Sequence, residues 1–252
     1  MVAARVGDQV VRVHDDRLSA ASRENGLVEV VSVLKPDLSQ RQSRALEREA
    51  FPGPSLYFHV RAIERRRQHQ NARSLLKDIQ FLEYAYAVLP AWGMHQMGPQ
   101  AAKVGDFAAI VTALRQQAPA LDDLWPLRIT ALTPDAARQS AETAWQVIAA
   151  IKISTSRTQI VAGSKMLHHL LPDLIPPIDR QYTFSFFTGQ KMVASDHVAF
   201  LDWLPQFAAI GTRCQEPIRD AINRGGFMAT GEAKVIDNAI MGFMQQQRLS
   251  EP

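Results

Sequence analysis

The chain has 252 residues, 46% hydrophobic and 21% charged: enough apolar material for one large domain or two small lobes, and too little charge for a disordered chain. Its single cysteine, Cys214, excludes an intramolecular disulfide and argues against a cysteine-ligated zinc or iron–sulfur centre. The net charge is +3, and the basic excess sits in the first third, where residues 1–73 hold 13 Lys/Arg against 9 Asp/Glu.

No apolar run reaches the roughly 18 to 20 residues that a bilayer span needs. The first sixteen residues carry Asp8, Asp15 and Asp16 and lack the basic-then-apolar form of a signal peptide. These features predict a soluble cytoplasmic protein with no membrane partner. The basic residues Arg41, Arg44, Arg48, Arg61 and Arg65 to Arg67 suit either phosphate attraction or a solvated helix face.

In chain order, the β-branched runs 10–13 and 27–34, with Asn25-Gly26 as a turn signal, suit short strands or an extended arm. A helix is expected over 38–50, and Pro52-Gly53-Pro54 then breaks the chain. Beyond it the pattern is helical. The helices expected are 56–68 with Ser55 as N-cap, 74–89 interrupted at Pro90, 106–117, 133–151, 164–171, 179–188, 195–211 and 232–247. Thr133-Pro134-Asp135 reads as an N-cap with proline in the first turn.

The most informative stretch runs from Gly163-Ser164-Lys165 through His168-His169, Pro172 and Pro176-Pro177 to Asp179-Arg180-Gln181-Tyr182. Gly163 permits a tight turn and Ser164 can cap the following helix. Lys165 would then lie beside free backbone N–H groups at a helix start, a place for a phosphate. The prolines hold the next segment extended, and Asp179 follows at a helix head, where the dipole favours an ionised carboxylate. Capping alone explains Asp179 as well as chemistry does. For Lys165, nucleophile, partner to a phosphate or to Asp179, and plain surface residue all stay open.

This stretch resembles the helix-hairpin-helix superfamily of DNA glycosylases, in particular its 8-oxoguanine glycosylase-like branch. In that superfamily a glycine hairpin leads into a lysine-bearing helix, and a proline-containing loop delivers an aspartate to the next helix. The resemblance implies Asp179 as the aspartate that supports base loss and Lys165 as the lysine. It places a DNA phosphate at Gly163, Ser164 and Arg180. The chain departs from the superfamily in lacking the Leu-Pro-Gly-hydrophobic-Gly hairpin, and its Lys-to-Asp spacing is short. The fold class implied is mostly α. A two-lobed helical domain would occupy residues 51–252, behind an N-terminal extension, 1–50, holding short strands and one helix.

A second candidate is Trp92-Gly93-Met94-His95-Gln96-Met97-Gly98. An extruded base needs aromatic or apolar walls and edge-reading polar groups. Trp92, His95, Tyr57, Phe58 and Tyr182 are the candidates, with core packing as the alternative for Trp92, Met94 and His95. Adjacent His168 and His169 diverge by about 100° on a helix, so only one is expected to face inward. Arg224-Gly225-Gly226 suits a helix-ending turn or a phosphate contact. No dinucleotide fingerprint, phosphate-binding loop or His-Glu-x-x-His is present, so neither cofactor nor metal is expected. The Arg-to-His spacings are wrong for a toxin-type ribonuclease.

The expectation is a monofunctional, monomeric DNA N-glycosylase. It would act on damaged or modified bases in double-stranded DNA, in repair or against phage with modified DNA. The rival is a non-catalytic helical module that binds DNA or protein.

Overall fold

The computed structural model describes residues 54–95, 101–226 and 229–250. The extension 1–50, the clustered Arg41, Arg44 and Arg48, and Gln96 to Gly98 lie outside these. The described residues are mostly helical, with eleven α-helices and no strand; an isolated antiparallel bridge joins Val104 to Ser154. None of these helices is long and apolar enough to cross a membrane.

Helix α1 (Pro54–Arg66) starts two residues before the expected helix, so Ser55 lies inside it rather than capping it. The single helix expected over 74–89 is two helices, α2 (Ala72–Leu75) and α3 (Ile79–Ala91). The chain breaks there because Asp78 caps α3, accepting from Phe81 N at 3.2 Å, while Arg65 Nε and His69 Nε2 hold its other oxygen at 2.6 and 3.1 Å. Pro90 does not interrupt α3 but sits in its last turn. The helix stops at Gly93 (φ +78°), where Gly93 N donates to Pro90 O and Met94 N to Leu89 O. This left-handed glycine termination swings Trp92 and Met94 off the helix end.

Helix α6 (Pro134–Ile151) begins at the cap read from sequence, Thr133, and α4 (Phe107–Gln116) is capped by Asp106, where the expected helix was taken to start. Between them lies α5 (Ala118–Leu124), which the sequence pattern missed; it is short and follows α4 with one residue between. Then come α7 (Ile160–Leu170), a π-helical turn (Arg180–Phe184) running into α8 (Ser185–Thr188), α9 (Asp196–Arg213), α10 (Gln215–Arg224) and α11 (Glu232–Ser250). Helix α10, also unexpected, ends at Gly225 (φ +73°), which fits the helix-ending reading of Arg224-Gly225-Gly226.

Every residue of α7 is buried. It packs against α1, α3, α6 and α9, at the centre of one continuous apolar core. A helix buried all round has no solvent face to display a periodicity. Aromatic rings of α8 and α9 lock the far side, with Phe187 stacked on Trp203 at 5.4 Å and edge-on to Phe207 at 5.3 Å.

Candidate functional site

Helix α7 begins at Ile160, four residues before the expected start. Gln159 is a weak cap by type, but Asp196, at the head of α9, supplies the acceptor. Its Oδ2 takes Gln159 N at 2.6 Å and Ile160 N at 3.1 Å. Gly163 and Ser164 therefore lie within the helix and are buried, which corrects their reading as a turn and a cap with free N–H groups for a phosphate. Gly163 N already donates to Gln159 O at 2.8 Å. The missing Gly163 side chain instead admits Ile148 of α6: a Cβ there would come within 2.4 Å of Ile148 Cγ2. Ser164 Oγ donates to Val161 O and accepts from Ile178 N at 3.1 Å. That second bond ties the proline segment to α7 and sets where Asp179 emerges.

Asp179 heads the π-helical turn, its Oδ1 accepting from Tyr182 N at 2.6 Å and its own N–H donating to Thr183 Oγ1. It is a cap, as the sequence suggested, and it also lines a cavity of about 700 Å³. Lys165 lines the same cavity from α7. Its side chain approaches Trp92, with Nζ 3.5 Å from Trp92 O and 5.6 Å from the indole centroid. Burial pushes the Lys165 ammonium down to about 8, against the opposing pull of Asp179 and then Asp237, with Lys234 adding to the depression.

Two further charged groups come from α11, which the sequence did not single out. Lys234, Asp237 and Met241 recur at three and four residues on one face of α11 and line the cavity. Lys234 Nζ donates to Asp237 Oδ2 at 2.5 Å, and both side chains are 2% exposed. Burial raises the Asp237 carboxyl above its ordinary range, and the Lys234 ammonium only partly offsets this. Lys234 also lies 5.9 Å from the Trp92 ring, so two lysines approach one indole. In sequence, opposite charges three apart on a helix look like an ordinary surface pair.

Of the expected base-contacting residues, Trp92 and Tyr182 line the cavity, as does Arg180, exposed at its rim. Three others lie elsewhere, a correction to the expected site. Tyr57 is half exposed on the outer face of α1, under Arg61. Phe58 packs against the core, beside Tyr57 and Tyr84. His95 is exposed and accepts from Val104 N at 3.4 Å.

His168 and His169 are both fully buried, against the expectation that only one faces inward, because α7 is enclosed on every side. His169 Nδ1 must donate to Lys165 O at 2.7 Å, since a carbonyl only accepts. Its Nε2 then accepts from His59 Nδ1–H at 3.0 Å, and His59 Nε2 accepts from the Thr230 hydroxyl at 3.0 Å. This chain of fixed tautomers joins α1, α7 and the approach to α11 directly behind Trp92, whose ring lies 5.3 Å from His59 and 5.2 Å from His169. Among the described residues no group of His, Cys, Asp or Glu is placed to hold a metal ion.

Comparison of the chain with protein families, with curated proteins and with solved structures finds no match.

Proposed function

We propose that the protein is a DNA N-glycosylase that draws a damaged or modified base into this cavity and hydrolyses its bond to the sugar. The observation that carries the reading is the joint placement of Asp179 and a buried, partly neutralised Lys165 on one cavity walled by Trp92, Tyr182 and Met241. The resemblance of the Lys165-to-Asp179 stretch to helix-hairpin-helix glycosylases supports it. An extruded base needs flat or apolar walls beside a small set of polar groups. A lysine whose pKa lies near 8 can hand over and regain a proton at working pH.

The C1′–N bond breaks and its electron pair leaves with the base, which takes a proton from the Lys165 ammonium. Asp179 stabilises the positive charge growing on the sugar and accepts a proton from the water that adds to C1′. Transfer of that proton back to Lys165 restores both groups. The reading carries with it double-stranded DNA as partner, action as a monomer, and a place in the cytoplasm with the genome, in repair or in defence against modified phage DNA.

The test is incubation with duplexes bearing oxidised, alkylated or phage-type bases, followed by alkali. Strand breaks at the modified position are expected with the wild type and are expected to fall by at least about 100-fold in Asp179→Asn. Equal yields from both proteins on every duplex would remove Asp179 from the chemistry and the reading with it. Breaks without alkali that vanish in Lys165→Ala would show the neutral amine attacking the sugar, and the enzyme would then be a lyase as well.

A further inference from the structure

The α11 face carries an atom that the reaction above leaves unused. Asp237 Oδ2 is held by Lys234, but Asp237 Oδ1 is fully enclosed and has no hydrogen-bond partner among the described residues. Buried carboxylate oxygens are ordinarily satisfied, because leaving one without a donor forfeits the water it gave up. The side chain is 2% exposed and belongs to a residue that lines the cavity. A ligand that displaces the atoms covering this oxygen and brings a donor to it would restore the missing bond.

We propose that Asp237 is a specificity-determining residue that accepts a hydrogen bond from the exocyclic amino group of the base, so that the cavity selects amino-bearing heterocycles. This rests on the base-extruding reading above and names its substrate class. Trp92, Pro177, Tyr182 and Met241 give the cavity flat or apolar walls, which suit a planar ring. A base entering edge-first leads with its exocyclic substituent. A carbonyl in that place would set one acceptor against another, whereas an amino group donates to the carboxylate. Carboxylates read the cytosine amino group in the same way where proteins contact DNA. Asp237 reaches this position because α11 places it one turn from Lys234, which holds Oδ2 and turns Oδ1 away from itself.

The experiment is binding of free bases to the full chain, read by calorimetry and tryptophan fluorescence. Adenine is compared with purine, and cytosine with pyrimidin-2-one; each pair differs only by the amino group. Amino-bearing bases are expected to bind about 10- to 100-fold more tightly, and Asp237→Asn is expected to bring the ratio close to one. The double variant Lys234→Met with Asp237→Asn removes both buried charges and serves if the single variant fails to fold. Equal binding within each pair, or no binding of any base, overturns the proposal. Amino-selective binding without base release from any duplex keeps Asp237 as reader and removes the glycosylase reading. Base release with equal binding across the pairs does the reverse.

Discussion

Lys165 is the residue at which burial and function pull against each other. An aliphatic side chain on a fully buried helix would satisfy the fold better than an ammonium. The ordinary lysine pKa of 10.5 falls to about 8 here, a gap of roughly 3 kcal/mol against the charged form. Between pH 8 and 10.5 the unfolded chain binds more protons than the folded one, so stability rises with pH through that window. Below pH 8 the full cost is present. Lys165→Met is therefore expected to stabilise the protein by on the order of 3 kcal/mol at pH 7, with the gain shrinking by pH 9.5. Urea unfolding at the two pH values measures it. A gain that does not change with pH would show that Lys165 is not held away from its ordinary protonation, and would remove it as a proton carrier.

At the scale of elements, the histidine chain joins α1, α7 and the approach to α11 only while its imidazoles stay neutral. Burial, and the mutual proximity of the rings and of Lys234, lower His59 and His168 well below 6.5. Burial lowers His169 to about 4, its bond to Lys165 O opposing and the Lys234 and Lys165 ammonium groups adding. In the unfolded chain all three take up protons near pH 6.5, whereas in the folded chain His169 resists until about pH 4 and His59 and His168 stay neutral well below 6.5. Stability is thus fully present above pH 6.5 and is lost as pH falls below it, the His169 share being gone once pH passes about 4. His168 stacks on His59 at 5.8 Å and makes one bond, to Ile175 O. His168→Phe is expected to cost about 1 kcal/mol at pH 7.5. It should also flatten the acid decline by about one proton, read as Tm against pH. An unchanged slope would mean that His168 already titrates normally in the fold.

The same elements show what a sequence carries and what it does not. Thr133 acts as the cap read from sequence, and Asp106 and Ser195, the first residues of two expected helices, act as caps too, each bonding a backbone N–H three residues on. The start of α7 was illegible because its cap, Asp196, stands 37 residues away from Gln159. The placement of Lys165 and Asp179 near one another was legible, since a proline loop of fixed reach connects them, and both line the same cavity. The contribution of α11 was not: Lys234 and Asp237 face inward only because of how α11 is docked.

That docking belongs to the whole molecule, and Glu232 holds it. At the head of α11 its Oε1 receives Arg128 Nε at 2.7 Å, and its Oε2 receives Thr130 N at 3.2 Å and Oγ1 at 2.8 Å. Its own N–H donates to Asp173 Oδ1 at 3.0 Å, in the loop that leads from α7 to Asp179. Gly231 makes this possible, since a Cβ there would lie 2.5 Å from Pro172 O. At the other end of α11, Arg248 donates to Gln181 O at 3.1 Å beside the Tyr182 ring. The helix bearing Lys234 and Asp237 is therefore fastened at both ends to the segment bearing Asp179. Removing the Glu232 side chain leaves Thr130 without its acceptor and frees the half-exposed Arg128 to turn to water. Glu232→Ala is expected to cost about 1 to 3 kcal/mol in urea unfolding and to reduce base release by more than that instability accounts for. Arg128→Ala keeps both Thr130 bonds and is expected to be milder on both counts. If Glu232→Ala lowered stability while base release by the folded fraction stayed at the wild-type rate, the register of α11 would not be what shapes the cavity. Asp179 and Lys165 would then have to suffice on their own.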